Sequence, residues 1–179
     1  IDTSFYIIVN EGIQSFTARR LASELNISSM TVYNYYKNID EVKKEVIIKG
    51  FNILYKMIFM EMKYKQGLQP IEGIKYLCRV FANNMINFAL EYKGVYILMF
   101  TEYGHKFRKD HEIRLFYNFL PQLANRLRLD QGEVKDNKKK FYIYEIIIQG
   151  LILEKLQKLN DFSMQEFDDY IDYSLSLLF

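Results

Sequence analysis

Phe16-Thr17-Ala18-Arg19-Arg20-Leu21-Ala22-Ser23-Glu24-Leu25-Asn26-Ile27-Ser28-Ser29-Met30-Thr31-Val32-Tyr33-Asn34-Tyr35-Tyr36-Lys37-Asn38 is the stretch on which the reading of this 179-residue chain turns. Thr17 has the chemistry of a helix N-cap. Behind it Ala18, Leu21, Ala22 and Leu25 fall at i, i+3, i+4 and i+7, one stripe of an amphipathic helix. Asn26 stands where the chain must turn, and after glycine asparagine is among the residues that best tolerate the left-handed conformation of helix ends. Ser28 or Ser29 can cap the next helix, which the spacing carries through Tyr36. That helix has two faces. Ile27, Val32 and Tyr36 are expected to pack on the preceding helix. Ser29, Tyr33 and Lys37, flanked by Met30 and Asn34, point the other way. Two short helices joined by a turn of about four residues make a helix-turn-helix arrangement.

Outward from this stretch the pattern stays helical. Phe5, Ile8 and Val9 form a short apolar face that ends at Gly12. Asn38 caps a fourth helix, with Glu41 closing a capping box, and its apolar residues continue to about Tyr64. Further helices are predicted over Pro70 to Tyr92 and Gly94 to Tyr103, then a polar loop, Gly104 to Asp110. A helix from His111 to Leu129 should kink at Pro121, and a polar connector runs from Asp130 to Lys140. Lys138 to Asn160 is apolar nearly all round, which predicts burial on several sides. Ser163 and Glu166 form another capping box, Phe162 and Phe167 occupy the positions of a hydrophobic staple, and a stripe follows through Met164, Phe167, Ile171, Ser174, Leu175 and Leu178. There is no internal repeat and no low-complexity tract.

Composition agrees with a packed helical protein. Half the residues are apolar, 15 are Tyr and 14 Phe, which supplies a core and excludes disorder. Eight Gly and two Pro are too few for a many-turned β protein. The single cysteine, Cys78, leaves no intrachain disulfide and fits a reducing cytosol. No secretory signal is visible, and no apolar run reaches the roughly 18 residues that span a bilayer. The richest, Ile143 to Leu153, is interrupted by Glu145 and Gln149. Bulk charge does not point to nucleic acid. The net charge is +2, and in residues 1–49 Arg19, Arg20, Lys37, Lys43, Lys44 and Lys49 are balanced by Asp2, Glu11, Glu24, Asp40, Glu41 and Glu45. Lys43, Lys44 and Lys49 are read as a solvated helix face.

The stretch from Phe16 to Asn38 resembles the DNA-binding domain of the tetracycline-repressor (TetR) family of transcriptional regulators. The match runs without a gap through Lys37-Asn38. It departs at Asn26, where the family usually has a turn glycine, and at Ile39, where it usually has a basic residue. The resemblance implies an all-α fold of about nine helices, with a helix-turn-helix DNA-binding domain over residues 1–45 and a ligand-binding and dimerisation domain over 46–179. It implies roles for eight residues. Thr17 and Arg19 reach the DNA backbone or a base edge, Ser29, Met30, Thr31 and Tyr33 face the major groove, and Tyr35 and Lys37 hold phosphates. Phosphate contacts of this kind fix register while a few side chains read base edges. The implied function is a cytoplasmic, nucleoid-associated bacterial repressor. It would be released from a palindromic operator by a small apolar or aromatic effector, and it would pair as a homodimer through residues 138–179.

The apolar character of the last two helices names candidates for the dimer seam: Ile148, Leu151, Ile152, Ile171, Leu175 and Leu178. Phe81, Asn84, Phe88, Phe100, Phe116, Phe119 and Tyr144 are candidates for an effector cavity, with Asn87 and Gln149 as further polar handles. Most of the aromatic residues among them are also natural core. His105 and His111, six apart in a polar loop, fit no helical metal-ligand spacing, so neither metal nor cofactor is expected. Cys78 reads as a small core residue. No catalytic constellation is present, so an enzyme is not expected. The alternative is a helical small-molecule-binding protein or enzyme whose helix-turn-helix is only structural, and exposure of Tyr33, Asn34 and Lys37 speaks against it.

Overall fold

The computed structural model describes residues 1–62, 70–107 and 137–179, and every regular element among them is helical. In chain order these are α1 (Asp2–Glu11), a short 3-10 turn (Ile13–Ser15), α2 (Ala18–Glu24), α3 (Ser29–Tyr35), α4 (Ile39–Glu61), α5 (Pro70–Glu91), α6 (Lys93–Phe100), α7 (Glu102–Phe107), α8 (Lys138–Gln157) and α9 (Met164–Leu178). They fall into two compact units. The first comprises Ile1–Ile53 and the chain from Phe88 to the end of α7. The second comprises Leu54–Asn87 with α8 and α9. No described helix is long and apolar enough to cross a membrane.

In the first unit, local chemistry sets where each helix starts and stops. The Thr17 hydroxyl accepts a hydrogen bond from the Arg20 N–H at 3.1 Å, and Ser28 Oγ accepts one from the Thr31 N–H at 3.2 Å. Ser28, not Ser29, therefore caps α3. At the end of α2, Asn26 takes φ 54°, while its N–H bonds to the Ser23 carbonyl and the Ile27 N–H to the Ala22 carbonyl. This paired closure satisfies the last carbonyls of the helix and reverses the chain. The reversal turns Leu25 and Ile27 outward, so both are exposed and only Ala18, Leu21 and Ala22 of the expected stripe are buried. Asn38 Oδ1 accepts from the Glu41 N–H at 3.1 Å, but the Glu41 carboxylate reaches the Lys37 N–H at 2.8 Å instead of that of the cap residue.

Two helix boundaries differ from expectation. α6 ends at Phe100, because Thr101 is extended and its hydroxyl bonds back to the Ile97 carbonyl at 2.6 Å, competing with the helical ladder. The expected polar loop is then partly helical, as α7. The fourth helix is described to Glu61. Its expected continuation to Tyr64, the His111–Leu129 helix with its Pro121 kink, and the 130–136 part of the polar connector lie outside the described residues. α6 packs on α1, and Gly94 makes that approach possible: a Cβ there would stand 2.0 Å from the Ile8 carbonyl oxygen.

In the second unit, α8 buries Phe141, Tyr144, Ile148, Ile152 and Leu156, spaced by three and then four residues along one face. Among the described residues α8 is buried on one side only. Tyr142, Ile143 and Ile146 of the same helix are exposed. Ile148, Ile152, Ile171 and Leu175, expected at a dimer seam, are buried inside the unit, and Leu151 and Leu178 are half-buried. The four buried ones are core positions.

α9 starts as its sequence indicates. Ser163 Oγ accepts from the Glu166 N–H at 3.1 Å, the Glu166 carboxylate accepts from the Ser163 N–H at 2.7 Å, and the rings of Phe162 and Phe167 stack at 5.9 Å. Arg79 of α5 ties to Asp172 on its far side at 2.7 Å. Ser163→Ala is expected to lower stability by about 1 kcal/mol, since it removes the cap hydroxyl but leaves the staple. Urea denaturation followed by circular dichroism checks this, and an unchanged midpoint would mean the cap contributes nothing.

Candidate nucleic-acid interface

The surface formed by α2, its four-residue turn (25–28) and α3 carries all eight residues expected to meet DNA. Val32 faces inward and is buried, and Tyr36 is half-buried at the end of α3. Elsewhere around the helix Met30 is 71% exposed, Tyr33 48% and Tyr35 80%, and Lys37 is exposed beside the first turn of α4. Each of these large side chains offers contact area for a partner. Asn34 is exposed as well. The two-faced reading of this helix therefore holds for Val32, Tyr33, Asn34 and Lys37. It fails for Ile27, which the turn carries outward.

Ser29 and Thr31 are half-buried. Thr31 has a second commitment, because its hydroxyl lies 2.9 Å from Ser28 Oγ. That contact fixes its side chain against the cap and leaves the γ-methyl as its outward apolar group. Thr17 and Arg19 are exposed at the start of α2. Arg20, the neighbouring arginine, is fully engaged. Its guanidinium bonds Glu11 at 2.6 and 2.9 Å and Glu24 at 2.7 Å, and holds the Glu11 carboxyl below the usual carboxylate range. The pair binds α1 to α2. Of the two arginines, Arg19 is thus the one left to an external anion. The i,i+4 spacing of Arg20 and Glu24 is visible in the sequence, but the bond to Glu11, nine residues away, is not.

The start of α4 is braced by charge. Asp40 pairs with Lys43 at 3.4 Å and with Lys106 of α7, and the Lys106 contact holds its carboxyl below the usual range. Lys49 pairs with Asp2 at 2.5 Å and lies over the Phe5 ring, which agrees with its reading as a helix-face residue.

Of the residues expected to line an effector cavity, Phe88 and Phe100 belong to the core of the first unit and Phe81, Asn84 and Tyr144 to that of the second. Asn84 spends its amide on the Val80 carbonyl at 2.8 Å and the Glu61 carboxylate at 2.5 Å. Tyr144 donates to the Cys78 carbonyl at 3.0 Å. Asn87 is exposed and Gln149 half-buried. Phe116, Phe119 and His111 lie outside the described residues, as does the side chain of His105. Cys78 is wholly buried, and burial pushes its thiol far up, so it is an inert core residue. No protein-family model matches the chain, and no curated protein matches it.

Proposed function

We propose that this chain is a ligand-responsive transcriptional regulator of the tetracycline-repressor kind. Residues 1–45 grip double-stranded operator DNA, and residues 46–179 sense a small apolar or aromatic effector and form a homodimer. The observation that carries this reading is the outward face of α3. It presents Met30, Tyr33, Tyr35 and Lys37 to solvent while Val32 anchors the helix from behind. A helix-turn-helix used only for packing would bury that face. Arg19 and the Thr17 hydroxyl lie open at the start of α2, in keeping with phosphate contacts, and Met30 suits a thymine methyl.

Dimerisation is supported by the opposite end of the chain. Ile143, Ile146, Gly150 and Leu153 fall at i, i+3, i+7 and i+10 on α8, on the side away from its buried stripe, and the first three are exposed. Tyr170, Tyr173 and Leu177 form an exposed row on α9. Apart from its chain neighbours and its own helix backbone, Gly150 has no atom within 4 Å of where a Cβ would stand. A mid-helix glycine costs about 1 kcal/mol relative to alanine. A second α8 approaching closely at that point gives it a purpose. Pairing α8 and α9 with their symmetry mates makes a four-helix seam from these residues.

α4 runs from beside Lys37 to Glu61, so it is the element through which an effector changes the spacing of the two recognition helices. Operator half-sites require a separation of roughly 34–36 Å. The effector and the operator must weaken each other by the same factor.

Tyr33→Ala is expected to cost about 1–3 kcal/mol at the operator and to blur preference at one base position. Lys37→Ala should weaken binding to every sequence alike and flatten the salt slope. Both are read by titrating operator and scrambled duplexes at two salt concentrations. If both variants bind as tightly as the parent, α3 is not a recognition helix.

A further inference from the structure

We infer that the Tyr96 hydroxyl is the polar anchor of a small-molecule site in the first unit, one that takes an uncharged aromatic compound bearing a carbonyl or similar hydrogen-bond acceptor. This deepens the regulator reading by naming the chemical class of its effector, and it rests on that reading for the effector's role. Tyr96 lies on α6 and is wholly buried. Its hydroxyl is the one buried side-chain polar atom among the described residues that has no hydrogen-bond partner. The fold satisfies comparable groups elsewhere, as the bonds of Tyr144 and Asn84 show. An orphaned buried donor costs stability, and phenylalanine would fill the same volume without that cost. A hydroxyl kept at such a cost has a use when something supplies the acceptor.

The surroundings define the compound. The Tyr96 ring lies 4.8 Å from that of Phe100, which meets Phe51 edge-on at 5.7 Å, and all three are buried. A buried water needs two to four polar partners. The rings of Phe100 and Phe51 offer none, so an organic acceptor on an apolar body is the better occupant. The unit's buried residues include no charged side chain among those described. A carboxylate would enter unpaired, and the compound is therefore neutral. Burial also pushes the phenol's ionisation upward, which keeps it a donor at neutral pH. Met99, three residues along α6, inserts its thioether toward Gly50 of α4, where a Cβ would stand 2.5 Å from the sulfur. An unbranched side chain in that notch can repack to admit the compound.

The probes are acetophenone and ethylbenzene, which share shape and differ in the carbonyl. Thermal midpoints of the full chain are measured with each at millimolar concentration, for the parent, Tyr96→Phe and Tyr144→Phe. Without probe, Tyr96→Phe should melt at or above the parent, and Tyr144→Phe below it. Acetophenone should bind the parent about fivefold more tightly than ethylbenzene, the worth of one net hydrogen bond. That preference should vanish in Tyr96→Phe and survive in Tyr144→Phe. The proposal is overturned if the parent does not discriminate between the probes, if Tyr96→Phe discriminates equally, or if Tyr96→Phe is destabilised or fails to fold. Duplex binding without probe discrimination would remove the site and leave the regulator reading intact. Discrimination without binding to any duplex would keep the anchor and remove its role as an effector site.

Discussion

Gly94→Ala is expected to destabilise the first unit by about 3 kcal/mol, the upper end of the cost of overpacking. The added methyl would stand 2.0 Å from the Ile8 carbonyl oxygen, 3.0 Å from its carbon and 3.3 Å from Ile8 Cγ2. Two of these atoms are backbone, so no rotamer change relieves the contact, and α6 must move off α1. Ile8 cannot simply yield. Its carbonyl accepts the Gly12 N–H at 3.1 Å, the bond that closes α1, and its side chain is wholly buried. In an unconstrained helix the same change would favour folding by about 1 kcal/mol. The sign of the result therefore separates close packing from helix propensity. Urea denaturation of parent and variant measures it. A variant at least as stable as the parent would mean that α6 does not close on α1 in solution.

The second large effect concerns assembly. Ile146→Glu combined with Leu177→Glu is expected to convert a dimer into a monomer of 21.5 kDa in sedimentation at micromolar concentration, with the helical signal unchanged. Ile146 is 51% exposed and Leu177 66% exposed in the isolated chain, so the glutamates meet water in the monomer and cost it little. In a two-fold seam each charge would be buried near its symmetry copy and have no partner. Loss of the dimer removes one half-site from operator recognition. Operator affinity should then fall about a hundredfold or more, the worth of tethering two sites. The same substitutions at Ile148 and Leu175, which are core, should instead unfold the second unit. A parent that sediments as a monomer would sink the dimer and the palindromic operator with it.

Several local signals in the sequence match the structure where the interaction closes within a few residues, although the Asn38–Glu41 box closes only on one side. The Thr17 cap, the left-handed Asn26, and the Ser163–Glu166 box with its Phe162–Phe167 staple involve partners three to five positions apart, and side-chain chemistry at fixed spacing determines them. The outward display of Met30, Tyr33 and Lys37 was legible for the same reason: Val32 is the single apolar anchor of a short helix. The choice of Ser28 over Ser29, and the tie from Thr31 to that cap, depended on backbone angles that either serine could have adopted.

What tertiary structure alone decided are the partners of residues far apart in the chain. Glu24, four residues on, is the partner of Arg20 that helical spacing offers, yet Glu11 also claims it across nine residues. α8 is apolar nearly all round, so periodicity could not choose its inner face. The Tyr144 hydroxyl meeting the Cys78 carbonyl across 66 residues marks the side that packs, and the other side stays open. Gly94 and Tyr96, two residues apart, carried no sequence signal at all. One derives its meaning from a backbone oxygen 86 residues earlier, the other from a hydroxyl that the finished core leaves without an acceptor. Helix ends are set by hydrogen bonds that a short segment completes on its own. The buried faces are set by which surfaces the folded chain brings together, and no local pattern encodes that choice.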